Sequence, residues 1–137
     1  MSDDLLRRAL EVNWQNLALG HEVFAADGGT FVRNLSFPAI YDANFIYAVT
    51  ASTPKEIERV LARAKNEYAH AAKITFRLDP LTPPPFEAQL VLEGYERRES
   101  LVLLLEGNIS GDSKPVEIRR IHDEVGWQAF RDLKRAD

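Results

Sequence analysis

The stretch that decides the fold is Lys73–Glu106, which reads KITFRLDPLTPPPFEAQLVLEGYERRESLVLLLE. Apolar residues alternate in its opening segment ITFRL, which is typical of a strand with one buried face. A proline-opened helix follows, and we expect it to end at Gly94. The run LVLLL at 101–105 has no polar alternation, so it predicts a strand buried on both faces. The stretch therefore predicts a strand, a crossover helix and a central strand.

Composition narrows the class of protein. A chain of 137 residues is most simply one domain with a core of its own. Its net charge of −4 argues against nucleic-acid binding as the main task. The absence of cysteine excludes a disulfide framework, a thiolate zinc site and a cysteine nucleophile. The chain begins MSDD without an apolar signal segment, and no apolar run has the length of a membrane span. We therefore expect a cytoplasmic protein that does not contact a membrane.

The first half of the chain carries clear local signals. Ser2 can cap a first helix, and Gly20 is placed to end it. The DGG turn at 27–29 lies between two β-prone runs and predicts a hairpin. NFIYAVT at 44–50 is rich in aromatic and β-branched residues and predicts a strand. TPKE at 53–56 is a capping box with proline at the first helical position, and an apolar stripe follows it.

The end of the chain is predicted to form a separate piece. GNISGDSKP at 107–115 is polar and loop-like, and an alternating strand at 116–119 and a helix capped near Asp123 follow. We expect a domain at 1–107, a linker at 108–114 and a strand–helix unit at 115–137. The element order predicts an α+β (α/β) fold with a mixed, mostly antiparallel sheet flanked by helices.

The element order and two short motifs resemble the GCN5-related N-acetyltransferase superfamily, most strongly over residues 44–106. The motifs are LVLEGY, which ends in Gly94-Tyr95, and Tyr41-Asp42-Ala43-Asn44 before the long strand. The likeness is to the N-terminal half of tandem acetyltransferase-like proteins. It implies a mixed sheet, acetyl-CoA as the cofactor of active members and an acyltransferase reaction.

The chain departs from that family at two places. Active members hold the pyrophosphate of CoA on a glycine-rich turn, whereas the equivalent stretch here is TASTP at 50–54, with Glu56 close behind. The tyrosine that many members use as general acid falls on Leu90, which cannot donate a proton. Tyr68 and Tyr95 are other candidates, although neither stands at the family position. The resemblance therefore implies a degenerate domain that binds no cofactor, or acetyl-CoA if the domain is active.

The tail implies a partner. Lys114–Asp137 resembles the opening strand and helix of a further acetyltransferase-like domain, so the chain is a piece of a longer protein or a short protein that docks on a copy of itself. We expect a homodimer or a second domain of the same kind. The expected interface is the apolar stripe Trp127, Phe130 and Leu133.

Candidate site residues are few. Asp42, Asn44, Tyr47 and Asp79 are the candidates for a substrate cleft, with turn chemistry as the simpler explanation for the two aspartates and the asparagine. The three histidines, at positions 21, 70 and 122, lack ligand spacing, so no metal site is predicted.

Three functions remain open on the sequence. The first is a degenerate acetyltransferase-like domain with a structural or regulatory role. The second is an active N-acetyltransferase with an atypical cofactor site between the strands at 44–50 and 74–78. The third is an unrelated module that binds a small molecule or a protein.

Overall fold

The computed structural model of the chain describes residues 3–103 and 120–135. The chain divides into two compact units, Met1–Leu104 and Leu105–Asp137, which we call unit 1 and unit 2. In the described ranges, no helix is both long enough and apolar enough to cross a membrane. Ser2, the predicted linker at 108–114 and the strand predicted at 116–119 lie outside the described residues.

Unit 1 combines helices with one four-stranded sheet. Its helices are α1 (Asp3–Ala18), α2 (Pro54–Glu67) and α3 (Pro84–Leu92), and a short 3₁₀ helix spans Tyr41–Ala43. Its strands are β1 (Glu22–Ala26), β2 (Gly29–Arg33), β3 (Phe45–Tyr47) and β4 (Thr75–Phe76). The predicted class, an α+β fold with a mixed and mostly antiparallel sheet, is confirmed.

The strands lie in the order β1-β2-β3-β4. The first three are antiparallel neighbours, whereas β4 runs parallel to β3. The β1–β2 turn has Asp27 at φ 50° and Gly28 at φ 88°, which is the left-handed pair that a two-residue hairpin turn requires. Because a parallel pair needs a long crossover, α2 fills the connection from β3 to β4. The predicted hairpin is confirmed, and so is the helix predicted from the capping box at 53–56. The crossover predicted within 73–106 is not seen, because no strand follows α3 in the described residues.

Helices α2 and α3 cover one face of the sheet. The capping box of α2 is formed as predicted, with Thr53 at the N-cap, Glu56 three residues later and Pro54 in the first turn. The apolar stripe of the helix is buried against the sheet and α3. The buried residues of this core include Phe31, Ile46, Val49, Ile57, Val60, Leu61, Ala64, Tyr68, Phe86 and Leu90.

Helix α1 covers the opposite face. Successive residues of a strand point to opposite faces, so Phe31 and Ile46 join the α2 side while Val32 and Phe45 join α1. Trp14 is the largest buried side chain that α1 contributes. The sheet therefore has an apolar core on each side.

Helix α3 ends as the sequence predicts. Gly94 has φ 83°, Tyr95 N donates to Leu90 O at 3.0 Å, and Gly94 N donates to Val91 O at 3.1 Å. These two bonds satisfy carbonyls that the helix end would leave free. The ring of Tyr95 then packs against Phe76 of β4, with 5.3 Å between centroids.

The prediction of a buried central strand at 101–105 is wrong for the residues that the structure describes. Leu101, Val102 and Leu103 are 83%, 56% and 81% exposed and form no strand. The other two leucines of the run lie outside the described residues. An apolar run requires a cover but does not specify which surface supplies it, and every residue from 96 to 103 is exposed.

Unit 2 contains α4 (Glu124–Arg135). Asp123 caps it as predicted, because its Oδ1 accepts from Gly126 N at 2.8 Å and its carbonyl accepts from Trp127 N at 3.1 Å. The rings of Trp127 and Phe130 meet edge to face at 5.9 Å.

Candidate functional site

A groove runs along unit 1 where β3 leads into α2. It consists of two adjoining depressions of about 380 and 280 Å³, which share Asp27, Gly28 and Thr50. Thr50 ties the segment after β3 to the β1–β2 turn. Its N–H donates to Gly28 O at 2.8 Å, and its hydroxyl donates to the same carbonyl at 3.3 Å. Ala48 lines one end, and Glu56 and Arg59 line the other.

A β-bulge shapes this groove. The β2–β3 register pairs Thr30 with Tyr47, whereas the next bond along joins Thr50 N to Gly28 O, which leaves one extra residue on the β3 side. Ala48 supplies the bend, with φ at 49°. A left-handed alanine is strained by roughly 1–2 kcal/mol, so packing and pairing around it must hold it there. The strand predicted over 44–50 is correspondingly short.

The N-terminus of α2 is capped by a side chain of the same helix. Glu56 Oε2 accepts from Ser52 N at 3.1 Å and from Thr53 N at 3.0 Å, and the Ser52 hydroxyl lies 3.4 Å away. These backbone N–H groups, Thr53 first, lower the pKa of Glu56 to about 2 from the ordinary 4.5. The carboxylate therefore occupies two of the N–H donors that an incoming anion would need.

The donor set at this position does not fit a phosphate group. Pro54 has no N–H to offer, and the N–H groups of Ser52 and Thr53 are already engaged by Glu56. Asp27 and Glu56 carry negative charge in the groove, while Arg59 brings one positive charge. A phosphate would therefore meet two like charges and the loss of the capping bonds.

Asn44 lies in the interior rather than in a cleft. Its side chain is 0% exposed and makes four hydrogen bonds. Nδ2 donates to Phe37 O at 2.8 Å and Ile40 O at 3.2 Å. Oδ1 accepts from Asn34 N at 3.0 Å and from His70 Nε2 at 3.0 Å. The carboxamide thus fixes the loop between β2 and β3, and turn chemistry explains this residue.

Asp42 and Asp79 each have a local partner. Asp42 forms an ion pair with Arg77, whose guanidinium carbon lies 4.9 Å from the centre of the Phe45 ring. Asp79 Oδ1 accepts from Leu81 N at 2.8 Å, which is the bond of a turn that leads towards α3. The structure therefore brings Asp42 to Arg77, and it assigns the carboxylate of Asp79 to its own turn.

Tyr47 lies on the α1 side of the sheet. Its ring is half-buried between Trp14, at 5.4 Å, and Phe45, at 5.9 Å. Burial, and after it the charge of Glu11, raise the pKa of the Tyr47 hydroxyl. In the described residues, Trp14 Nε1 is buried without a hydrogen-bond partner. Tyr47 and Trp14 belong to the core beneath α1.

No tyrosine stands ready as a proton donor in the groove. Leu90 is buried in the core. The Tyr68 hydroxyl donates to Val32 O at 2.9 Å and to Phe45 O at 2.7 Å, and burial raises its pKa well above the usual range. Burial, and after it Glu93, also raise the pKa of Tyr95, which packs on β4.

The residues predicted for an interface belong to unit 2. Trp127, Phe130 and Leu133 are exposed on α4, and an interface there stays a prediction. Among residues 3–103 and 120–135, no group of three or more His, Asp or Glu side chains is placed to hold a metal ion. His21 Nδ1 contacts Asn34 Nδ2 at 3.0 Å.

The sequence did not indicate the structural roles of three residues at this end of unit 1. Ala48, Tyr68 and His70 shape the bulge, join β2 to β3 and hold Asn44, respectively. The helical stripe placed Tyr68 in the core, but its hydroxyl partners are distant in sequence. An alanine in a left-handed bulge and a histidine behind a helix carry no local signal.

Comparisons of the chain with models of protein families, with curated proteins and with solved structures found no match.

Proposed function

We propose that unit 1 is a non-catalytic acetyltransferase-like domain with a structural or regulatory role. Its partner would be a second domain of the same kind or another copy of the chain, in the cytoplasm. Three features of unit 1 support the proposal.

The first support is the arrangement of strands. Three antiparallel strands lead through a helix to a parallel fourth strand, which is the order that the resemblance implies. The β3–β4 register ends at Ile46 and Phe76, and the bulge at Ala48 follows directly. A bulge at the end of a short parallel pair lets the two strands diverge.

The observation that carries the proposal is the position of Glu56. A cofactor that binds through its pyrophosphate needs free N–H groups at the start of the crossover helix. Here the Glu56 carboxylate accepts from Ser52 N and Thr53 N, and Pro54 supplies no N–H. The helix start is therefore stabilised by its own anion, which favours a domain that does not bind CoA.

The third support is the lack of a proton donor. Leu90 is buried at the position where the resemblance expects a tyrosine, and the Tyr68 hydroxyl is bonded to two carbonyls. General acid catalysis needs a donor within reach of the leaving group. Neither residue meets that requirement.

Isothermal titration of the full chain with acetyl-CoA tests the proposal. We expect no measurable heat from the wild type. Glu56→Ala frees the two N–H groups and should gain weak binding of adenosine 3′,5′-bisphosphate, whereas Glu56→Gln keeps the cap and should gain less. Micromolar binding of acetyl-CoA by the wild type would overturn the proposal. Release of free thiol with an amine panel would then favour an active enzyme with an atypical cofactor site.

A further inference from the structure

The outer edge of β4 presents unpaired backbone groups. β4 is the last strand in the sheet order, so it has a neighbour on one side. Ile46 pairs with Phe76, and Arg77 N donates to Ile46 O at 2.7 Å. In a parallel ladder, this pattern turns the N–H and C=O of Phe76 away from β3. Within the described part of the chain, those two groups have no hydrogen-bond partner.

A second feature of the same chain lacks a cover. After Tyr95, every residue to 103 is exposed, although Arg97 still forms an ion pair with Glu87 of α3 at 3.1 Å. The exposed segment ends in Leu101, Val102 and Leu103, and the sequence continues with two more leucines. Apolar, β-prone residues in an extended run are the usual material of an added strand.

We propose that Leu101–Leu103 of one copy pairs as a strand along the outer β4 edge of a second copy. The free N–H and C=O of Phe76 then gain partners, and the exposed leucines gain a cover, in the manner of strand addition to a sheet edge. Because each copy has one β4 edge and one run, a twofold axis satisfies both needs reciprocally. This surface differs from the α4 stripe, and the proposal does not depend on the proposed function.

The segment that joins the run to unit 1 suits this exchange. Glu96–Ser100 spans up to about 18 Å when extended, which is enough to cross to a neighbouring molecule. Its two arginines and two glutamates balance in charge, with Arg97 paired to Glu99 at 2.9 Å and Arg98 to Glu96 at 3.2 Å. Two such segments therefore bring no net charge to the interface. The exposed Arg97–Glu87 pair contributes little that would hold the segment to α3. Each copy carries both the unpaired β4 edge and the exposed run. A second copy is therefore the occupant to which we commit.

Sedimentation equilibrium of the full chain over a range of concentrations tests the exchange. We expect a dimer for the wild type and a monomer for Leu103→Asp. The matched control is Leu92→Asp, which places the same charge at an equally exposed leucine at the end of α3 (79% exposed) and should leave the dimer intact. Val102→Pro, which cannot donate to a strand ladder, is a second variant that should give a monomer.

Amide hydrogen exchange at Phe76 distinguishes the outcomes. We expect at least about tenfold slower exchange in the wild-type dimer than in Leu103→Asp, because pairing protects the N–H. A wild-type monomer overturns the proposal whether the Phe76 amide is fast, which leaves the edge free, or slow, which indicates pairing within one copy. A dimer that survives both Leu103→Asp and Val102→Pro also overturns it and points to the α4 stripe.

Discussion

Replacing Asn44 by alanine should destabilise unit 1 more than any surface change. The substitution removes four hydrogen bonds at once, and its partners are the N–H of Asn34, the carbonyls of Phe37 and Ile40, and the ring of His70. The two carbonyls belong to exposed residues and can take water in exchange. The other two groups, Asn34 N and His70 Nε2, are donors that lose a buried acceptor, which costs about 1–3 kcal/mol each. We therefore expect a loss of about 3 kcal/mol in the free energy of unfolding.

Urea denaturation followed by tryptophan fluorescence measures this loss. The chain has two tryptophans, so a Trp127→Phe background leaves Trp14 as a reporter inside unit 1. With a urea slope of about 2 kcal/mol/M, the midpoint should fall by about 1.5 M. The control is Asn66→Ala on the exposed side of α2, which should change stability by less than about 0.5 kcal/mol. A loss below about 1 kcal/mol for Asn44→Ala, or an equal loss for the control, would refute the reasoning.

Three further outcomes test the same unit by urea denaturation. Ala48→Gly relieves the left-handed strain at φ 49° and should raise the free energy of unfolding by about 1 kcal/mol. The control Ala62→Gly, on the exposed side of α2, should lower it by about as much. A loss of stability in both variants would contradict the strain argument. The pKa of Glu56 is lowered in the fold, so its stabilisation is complete above pH 4.5 and is lost as the pH falls towards 2. In Glu56→Gln this part of the pH dependence should be absent. A profile identical to that of the wild type would show that Glu56 does not cause this pH dependence. Tyr68→Phe removes a buried hydroxyl bonded to two strand carbonyls and should cost about 1–3 kcal/mol, whereas Tyr47→Phe should cost little; similar losses would deny the hydroxyl its role.

The parts of the fold that the sequence predicts are those with local causes. The capping box at Thr53, the hairpin turn at Asp27-Gly28 and the helix end at Gly94 each depend on residues within five positions of one another. Local geometry forces such features wherever they occur in a chain. The burial of the α2 stripe follows from its period alone.

The parts that the sequence does not predict depend on distant partners. The sequence favours a turn role for Asn44 over a cleft role, but it does not indicate that His70, 26 positions away, is one of its hydrogen-bond partners. The run at 101–105 carries the strongest apolar signal in the chain, yet its described residues are exposed. Burial of an apolar segment is favourable on any apolar surface, so the sequence of the segment does not identify the surface that covers it.

The Tyr68 hydroxyl has a consequence for how unit 1 opens. One proton donor at the end of α2 bonds the carbonyls of Val32 in β2 and Phe45 in β3, which are register partners. Displacing α2 therefore breaks a tie between the two central strands, and separating the strands releases the end of the helix. Helix and sheet should then open in a single cooperative step, with the amides of α2, β2 and β3 sharing one exchange free energy. These bonds do not reach strand β4, so its amides should exchange with a lower free energy than those of the other three elements.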